Sequence, residues 1–312
     1  MRVLFMGTPD FAVPSLRALD EAFDVVGVVT RPDAVRSRGK RLEPSPVKVE
    51  AQARDLLVIE ANRMTTEVMD ELRALSPDVI CVAAYGCILP DALLELAPLG
   101  CYNVHASLLP RWRGAAPIQR AVLAGDELVG ASIMRVVHEL DAGAWCAQVS
   151  VEVADHTSDE LLALVGERGA TALIEALRQI ETGAAVWHEQ DESLVTYAHK
   201  VEKAEMRLDP EAPALDNVRR VQASTDAAPA RCVVAGRGLR VVRGRVVAGT
   251  DAVQGAASPD AGRVAVARKR VLLGCADGAL ELLSVKPDGK REMDAHAWAA
   301  GLRGDALTWE RA

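Results

Sequence analysis

The side chains best suited to chemistry lie in residues 101–118, CYNVHASLLPRWRGAAPI. If residues 102–106 form a strand, its two-residue period places Asn103 and His105 on one face. An amide N–H can hydrogen-bond the oxyanion of a tetrahedral intermediate, and an imidazole can stabilise charge or move a proton. This pair is therefore typical of acyl or formyl transfer.

A carboxylate is expected beside this pair. Asp141 lies in Leu140-Asp141-Ala142-Gly143, just after a predicted strand at 131–137. Open α/β sheets bind their ligands outside the carboxyl ends of the strands, where Asp141 could hold His105 in one orientation. The same residues also fit another arrangement, in which His105 is a buried residue bonded to the backbone and Asp141 only makes a turn before Gly143.

A sheet must position these residues, and the sequence up to residue 190 alternates between strand and helix patterns. Strands are predicted at 3–6, 25–30, 58–59, 79–84, 102–106, 131–137 and 146–153. Helices are predicted after Phe11 and at 65–75, 91–96, 116–124 and 157–183, the last with Thr157 or Ser158 as its N-cap. This alternation predicts an α/β domain with a mostly parallel sheet covered on both faces.

Beyond residue 190 the pattern changes. Residues 190–208 are polar and charged, and Pro210, Pro213 and Pro229 follow, which favours a connector. Short apolar runs at 232–235, 239–247, 262–267, 271–275 and 279–285 predict a small β-barrel, followed by a helix at 294–302. We therefore expect a first domain over 1–190, a linker over 191–209 and a second domain over 210–312.

Composition excludes several classes of protein. Half of the residues are hydrophobic and 26% are charged, which is not typical of a disordered or fibrous chain. Apolar runs such as 79–85 are too short to cross a bilayer, and the N-terminus lacks the layout of a signal peptide. Six scattered cysteines predict reduced thiols and a cytoplasmic setting, and no His/Cys cluster predicts a metal site. The turn Gly7-Thr8-Pro9-Asp10 lacks the GxGxxG pattern, which argues against a dehydrogenase.

The charge is unevenly distributed. Residues 1–205 contain 19 Lys+Arg and 31 Asp+Glu, whereas residues 206–312 contain 17 and 13. The net charge is therefore −12 in the first part and +4 in the second. A basic part of this kind is expected where a protein meets a polyanion, although chance would produce the same split.

The segment NxHxSLLP, beginning at Asn103, and the segment RxRGAAPIQ, beginning at Arg111, resemble the folate-dependent formyltransferases. Further agreeing segments, in the expected order, are GTPDFA at 7–12, RGK at 38–40, PVK at 46–48, AYGCILP at 84–90 and LVTYA at 194–198. The resemblance covers nearly all of residues 1–209. It implies a Rossmann-like first domain and an OB-like barrel as the second.

The resemblance also implies an activity, which is transfer of a formyl group from 10-formyltetrahydrofolate to a free amine. The best agreement is with the members that formylate the methionine of initiator methionyl-tRNA. Asn103, His105 and Asp141 would then form the catalytic trio. The expected folate-binding residues are Ser107, Leu108, Leu109, Pro110, Tyr85, Gly86, Ile88 and Leu89. His138 and Glu139 depart from the family pattern beside the Asp141 loop.

Basic residues supply the expected tRNA contacts, which neutralise phosphate charge. The loop 31–41, RPDAVRSRGKR, contributes Arg38, Lys40 and Arg41, and Arg38 matches the most telling arginine of the family. Lys203 and the strand arginines Arg237, Arg240 and Arg243 complete the predicted set. Arg263, Arg268, Lys269 and Arg270 form a further basic cluster. We expect a monomer with no membrane association.

Two other functions remain compatible with the sequence. The chain could be another 10-formyltetrahydrofolate-dependent N-formyltransferase, acting on a sugar nucleotide. It could also be a non-catalytic RNA-binding relative, although the intact Asn103, His105 and Asp141 argue against that.

Overall fold

The computed structural model describes residues 1–35, 41–248, 258–267, 269–303 and 306–312. The chain forms two compact units. The first comprises Met1–Pro117, Leu128–Glu152 and Leu162–Ala198, and the second comprises Ile118–Glu127, Val153–Leu161 and His199–Ala312.

The first unit contains a central sheet flanked by helices. Its strands are β1 (Arg2–Gly7), β2 (Asp24–Thr30), β3 (Val58–Glu60), β4 (Val79–Ala83), β5 (Cys101–His105), β7 (Leu128–Arg135) and β8 (Trp145–Glu152), with a separate pair formed by β6 (Arg113–Gly114) and β9 (Tyr197–Ala198). Its helices are α1 (Val13–Ala22), α2 (Pro46–Ala53), α3 (Thr66–Ala74) and α4 (Asp91–Leu94). Two more helices, α5 (Pro117–Ala124) and α6 (Ser158–Glu181), have residues in both units.

The sheet order is β3-β2-β1-β4-β5-β7-β8. The pairings from β3 to β5 are parallel, while β7 and β8 are antiparallel to their neighbours. Because Gly7 pairs with Ala83 and Val82 pairs with Asn103, the carboxyl ends of β1, β4 and β5 lie along one edge. The predicted Rossmann-like α/β sheet is confirmed.

Local sequence explains where the helices begin. The Ser45 hydroxyl accepts a hydrogen bond from the Lys48 N–H, and Pro46 occupies the first position of α2. Thr65 caps α3 in the same way through the Val68 N–H. Such caps satisfy backbone donors that have no partner within the helix, and a proline at the first turn costs no hydrogen bond.

The second unit is built around an antiparallel sheet. Its strands are β10 (Arg231–Val234), β11 (Arg237–Ala248), β12 (Val264–Ala267), β13 (Arg270–Cys275), β14 (Gly278–Pro287), β15 (Met293–Asp294) and β16 (Trp309–Arg311), and its own helices are α7 (Ala214–Gln222) and α8 (Ala295–Ala299). The strand order is β12-β13-β14-β11-β10-β16, and β15 pairs with β14.

The two ends of this strand order meet. The Val264 N–H donates to the Leu307 carbonyl (3.0 Å), and the Trp309 N–H donates to the Gly262 carbonyl (2.9 Å). The sheet therefore curls around a core that includes Leu239, Val271 and Leu280. This closure confirms the small barrel predicted from the short apolar runs.

Within the ranges described above, no helix is both long and apolar enough to cross a membrane.

Candidate active site

Strand β5 delivers two polar side chains to the carboxyl edge of the first sheet. Asn103 is half-buried, and His105 is only 6% exposed. The opposite face of the strand packs against α6, where a Cβ on Gly169 would come within 2.9 Å of the Val104 side chain. Val104 therefore faces α6, and Asn103 and His105 lie on the other face of β5, as the two-residue period predicts.

His105 is held from one side by the backbone. Its Nε2 lies 3.0 Å from the Trp112 carbonyl oxygen, and since a carbonyl only accepts, Nε2 carries the proton and donates. The other ring nitrogen, Nδ1, lies 3.7 Å from Asp141 Oδ2. A proton on Nδ1 as well would make the ring an imidazolium facing a carboxylate.

Asp141 is anchored by the same short segment that holds His105. Its Oδ2 accepts a hydrogen bond from the Gly114 N–H at 2.9 Å, two residues after Trp112. Asp141 adopts φ +50° and Trp112 adopts φ +66°, a left-handed conformation that non-glycine residues seldom use. Strained residues of this kind cluster at functional sites and persist only where the surroundings hold them.

The loop that follows β5 is fixed by inward-facing hydrogen bonds. Ser107 Oγ donates to the Arg111 carbonyl (2.7 Å), and Ser132 Oγ donates to the Ser107 carbonyl (2.7 Å). The Leu109 N–H donates to Ser132 Oγ (3.1 Å), and Gln148 Nε2 donates to the Leu109 carbonyl (2.8 Å). Ser107 and Leu109 are buried, so Leu108 and Pro110, both half-buried, are the side chains of this loop nearer to solvent.

In the loop after β4, the Tyr85 side chain is buried, although we expected it to be available for folate binding. The Tyr85 ring is 2% exposed, and its hydroxyl donates to the Ala61 carbonyl at 2.6 Å. Burial raises the pKa of this phenol. The ring therefore belongs to the core of the unit, while Gly86, with φ +83°, and Ile88, which is 94% exposed, form the accessible part of the loop. Leu89 is half-buried beside them.

Two residues near the site were not assigned a role by the sequence pattern. Arg113 is 3% exposed, and its guanidinium bonds Gln190 and Glu192. Gln190 in turn bonds the backbone of the Asp141 loop. By contrast, His138 and Glu139, which depart from the family pattern, are exposed at the surface.

Part of the basic loop near β2 lies outside the described residues, including Arg38 and Lys40. Its base is closed by two backbone hydrogen bonds between Ala34 and Glu43, of 3.1 and 2.9 Å. Lys48 of α2 pairs with Asp33 (2.7 Å) and with Glu60. Arg41, just inside the described part, is exposed.

In the second unit the predicted RNA-binding side chains differ in their surroundings. Lys203 and Arg237 are exposed, and Arg237 lines a surface cleft together with Lys290. Arg240 pairs with Asp226, and Arg243 pairs with Glu160. An arginine that is paired with an acidic residue has fewer free N–H donors and less net positive charge available for a phosphate.

The further basic cluster is also neutralised in part. Arg245 and Arg270 both bond the carboxylate of Glu281, which is 3% exposed. Burial opposes ionisation of Glu281, but the hydrogen bonds from Arg270 and Arg245 outweigh it and lower the pKa of the carboxyl. Arg268, in the same cluster, lies outside the described residues. No group of His, Cys, Asp and Glu in the described part of the chain is arranged to hold a metal ion.

Comparison with known proteins agrees with the geometry of both units. The family model described as formyl transferase matches residues 1–177, and the model for the formyl transferase C-terminal domain matches residues 200–303. HypX from Aquifex aeolicus, solved in complex with tetrahydrofolic acid, has a similar fold. Its TM-score is 0.64 at 18% identity over 99% of this chain, and this chain spans about half of the HypX chain (50%).

Similarity in sequence is much higher to curated bacterial proteins. The methionyl-tRNA formyltransferase of Xylella fastidiosa is 42% identical over 93% of this chain and 94% of its own length. That of Novosphingobium aromaticivorans is 41% identical over 98% of each chain. The chain therefore belongs to the formyl transferase family, and within it to the methionyl-tRNA formyltransferases.

Proposed function

We propose that this protein transfers the formyl group of 10-formyltetrahydrofolate to the free amino group of methionyl initiator tRNA, for translation initiation. The observation that carries the proposal is similarity to methionyl-tRNA formyltransferases that runs through both units, at 41–42% identity. The first unit supports the proposal, since the imidazole of His105 lies 3.7 Å from the carboxylate of Asp141, and Asn103 precedes His105 by two residues on β5.

The chemistry assigns a role to each member of this trio. The amine attacks the formyl carbon, and negative charge develops on the formyl oxygen of the tetrahedral intermediate. The Asn103 amide donates to that oxygen, and the imidazolium form of His105 stabilises its charge. Asp141 orients His105 and takes up the proton that the amine loses. The bond from the formyl carbon to the folate nitrogen then breaks, and that nitrogen takes up the proton that Asp141 accepted from the amine.

The folate would lie against two loops at the carboxyl edge of the first sheet. The loop after β5 contributes Ser107, Leu108, Leu109 and Pro110, and the loop after β4 contributes Tyr85, Gly86, Ile88 and Leu89. A pterin ring needs apolar contact on its faces and backbone groups at its edges, which these loops offer. Ile88, at 94% exposure, is the apolar side chain with most surface left to cover. Tyr85 would take part through its backbone, because its ring is packed in the core.

The tRNA would be held by basic residues from both ends of the chain. Our candidates are Arg38, Lys40, Arg41, Lys203, Arg237, Arg240 and Arg243. The exposed Arg41, Lys203 and Arg237 are the strongest of the described ones, since Arg240 and Arg243 already have acidic partners. We assign residues 1–190 to formyl transfer, 191–209 to a linker and 210–312 to RNA binding, in a cytoplasmic monomer.

The test uses the purified full chain with 10-formyltetrahydrofolate and methionyl initiator tRNA. Formylmethionyl-tRNA is the expected product, and its absence would overturn the proposal. An amino sugar nucleotide serves as the competing acceptor, and its preferential formylation would favour the alternative substrate class. Tight tRNA binding without formylation of either acceptor would instead indicate a non-catalytic RNA-binding protein.

A further inference from the structure

Gln190 holds the loop that carries Asp141. It lies between α6 and β9, 49 residues beyond Asp141 in the chain. Its Nε2 donates two hydrogen bonds, to the Asp141 carbonyl and to the Gly143 carbonyl, each of 2.8 Å. One amide group thus ties both ends of the turn 141–143.

Arg113 fixes the orientation of this amide. The Arg113 Nε donates to Gln190 Oε1 at 2.9 Å, and a second guanidinium nitrogen donates to Glu192 at 2.8 Å. Since a guanidinium only donates, the oxygen of Gln190 must face Arg113 and the nitrogen must face the two carbonyls. A flipped amide would put its oxygen against both carbonyl oxygens, so the assignment has a single consistent solution.

The turn needs this support because its own backbone is unfavourable. Asp141 adopts φ +50°. A Cβ on Gly143 would lie 1.9 Å from the Arg135 carbonyl oxygen, so the loop also runs in close contact with β7. A strained turn of this kind persists only where surrounding contacts determine it, and the two bonds from Gln190 are such contacts.

The same arrangement sets the position of the Asp141 carboxylate. Arg113 immediately precedes Gly114, whose N–H bonds Asp141 Oδ2 at 2.9 Å, and follows Trp112, whose carbonyl accepts from His105. The backbone of Asp141 is held through Gln190, and its side chain is held through Gly114. Both sets of hydrogen bonds depend on the segment that includes Arg113.

We propose that Gln190, oriented by Arg113, is a positioning residue for formyl transfer, which holds the Asp141 carboxylate beside His105. The proposal rests on the proposed function, because it acts through the catalytic role assigned to Asp141. In this role Gln190 does not contact the substrate. Its loss should therefore lower kcat and leave the KM values for folate and tRNA nearly unchanged.

The test compares Gln190→Leu and Gln190→Glu with wild type in the formylation assay. Both remove the two donors, and Gln190→Glu keeps the size and the bond from Arg113. We expect kcat to fall on the order of 10²-fold, the loss typical of a misplaced reacting group. Gln179→Leu is the matched control, because Gln179 is exposed on α6, and it should behave as wild type.

A double-mutant cycle distinguishes positioning from a general structural role. If Gln190 acts through Asp141, Gln190→Leu should cause less than about a twofold further loss in an Asp141→Ala background. Additive losses, or wild-type kcat in the folded single variants, would overturn the proposal. If Gln190→Leu fails to fold, Gln190→Glu carries the same cycle. Failure of the proposed function would look different, since wild type itself would then produce no formylmethionyl-tRNA.

Discussion

The Nδ1 atom of His105 lies 3.7 Å from Oδ2 of Asp141, and both residues are bonded on their other sides to the backbone of residues 112–114. The Trp112 carbonyl accepts from His105, and the Gly114 N–H donates to Asp141. A single stretch of three residues therefore sets the relative position of an imidazole and a carboxylate that lie 36 residues apart in the chain. At 3.7 Å the two atoms are beyond hydrogen-bond distance, and they form an ion pair when His105 is protonated.

Replacing Asp141 by Asn should reduce kcat on the order of 10²- to 10³-fold. An asparagine can still accept from the Gly114 N–H and adopt the left-handed backbone, but it has no charge for His105 and accepts no proton. Steady-state kinetics with methionyl-tRNA measure the loss. Asp55→Asn is the matched control, since Asp55 also adopts a positive φ (56°) and is exposed. Activity within threefold of wild type would remove Asp141 from the mechanism.

Replacing His105 by Ala should abolish measurable turnover while tRNA binding stays close to wild type. In the proposed mechanism the imidazole contributes charge at the reacting centre, and its removal leaves in place the basic side chains that we propose bind RNA. Turnover and filter binding of methionyl-tRNA are measured on the same preparation. The surface residue His138 provides the control variant His138→Ala. Equal losses of binding and of turnover would contradict the assignment.

Much of the first domain follows from periodicity in the sequence. The two-residue period correctly placed Asn103 and His105 on one face of β5, and the strand–helix alternation predicted the parallel sheet. Two helices were missed for local reasons. In the first unit, α2 begins directly at Pro46, where the proline reads as a turn signal. In the second unit, α7 follows Pro213 shortly after the predicted linker 191–209.

Contacts between distant segments could not be predicted from pattern alone. Gln190 and Arg113 are 77 residues apart, and nothing in either local sequence indicates their hydrogen bond. The pairing of Arg243 with Glu160 is equally remote, at 83 residues. Runs of basic residues indicate how much positive charge a segment carries, but acidic partners brought in by the fold decide how much remains available.

Replacing Gly143 by Ala should disable the site through the backbone. The new Cβ would lie 1.9 Å from the Arg135 carbonyl oxygen, so the Asp141 loop must shift away from β7. A displacement of about 1 Å at a reacting group can cost on the order of 10²-fold in rate. We therefore expect a large loss of kcat. Gly301→Ala, whose Cβ would have its nearest neighbour at 3.4 Å, should leave kcat unchanged. Full activity of Gly143→Ala would show that the loop can relocate without consequence.

A pH-dependent contribution to stability is expected from Glu50. Hydrogen bonds from Arg17 and Arg54 lower the pKa of its carboxyl to about 2. A carboxyl with a depressed pKa in the folded state stabilises the protein above its unfolded pKa of about 4.3, and this contribution is lost as the pH falls toward 2. Glu50→Gln should lower the free energy of unfolding at pH 7 by about 1–2 kcal/mol, a value discounted because Arg17 is half exposed to solvent.

Urea unfolding of Glu50→Gln and wild type between pH 3.5 and 7 measures this contribution. The difference between the two proteins should be constant above about pH 5 and should narrow below it. Glu71→Gln, at an exposed position of α3, is the control and should change stability by less than about 0.5 kcal/mol. If the difference in the free energy of unfolding between the two proteins grew as the pH fell, the lowered pKa of Glu50 would not be its cause.

Replacing Arg38 by Ala should lower kcat/KM for methionyl-tRNA by about tenfold while leaving a minimal methionyl ester unaffected. A phosphate contact releases counterions, so losing one should reduce the slope of log(kcat/KM) against log salt by about 1. The difference in kcat/KM between wild type and Arg38→Ala should therefore become smaller as the salt concentration rises. Arg73→Ala, an exposed arginine on α3, is the control. If Arg38→Ala reduced turnover of the ester as much as that of the tRNA, Arg38 would act at the reacting centre and not through RNA.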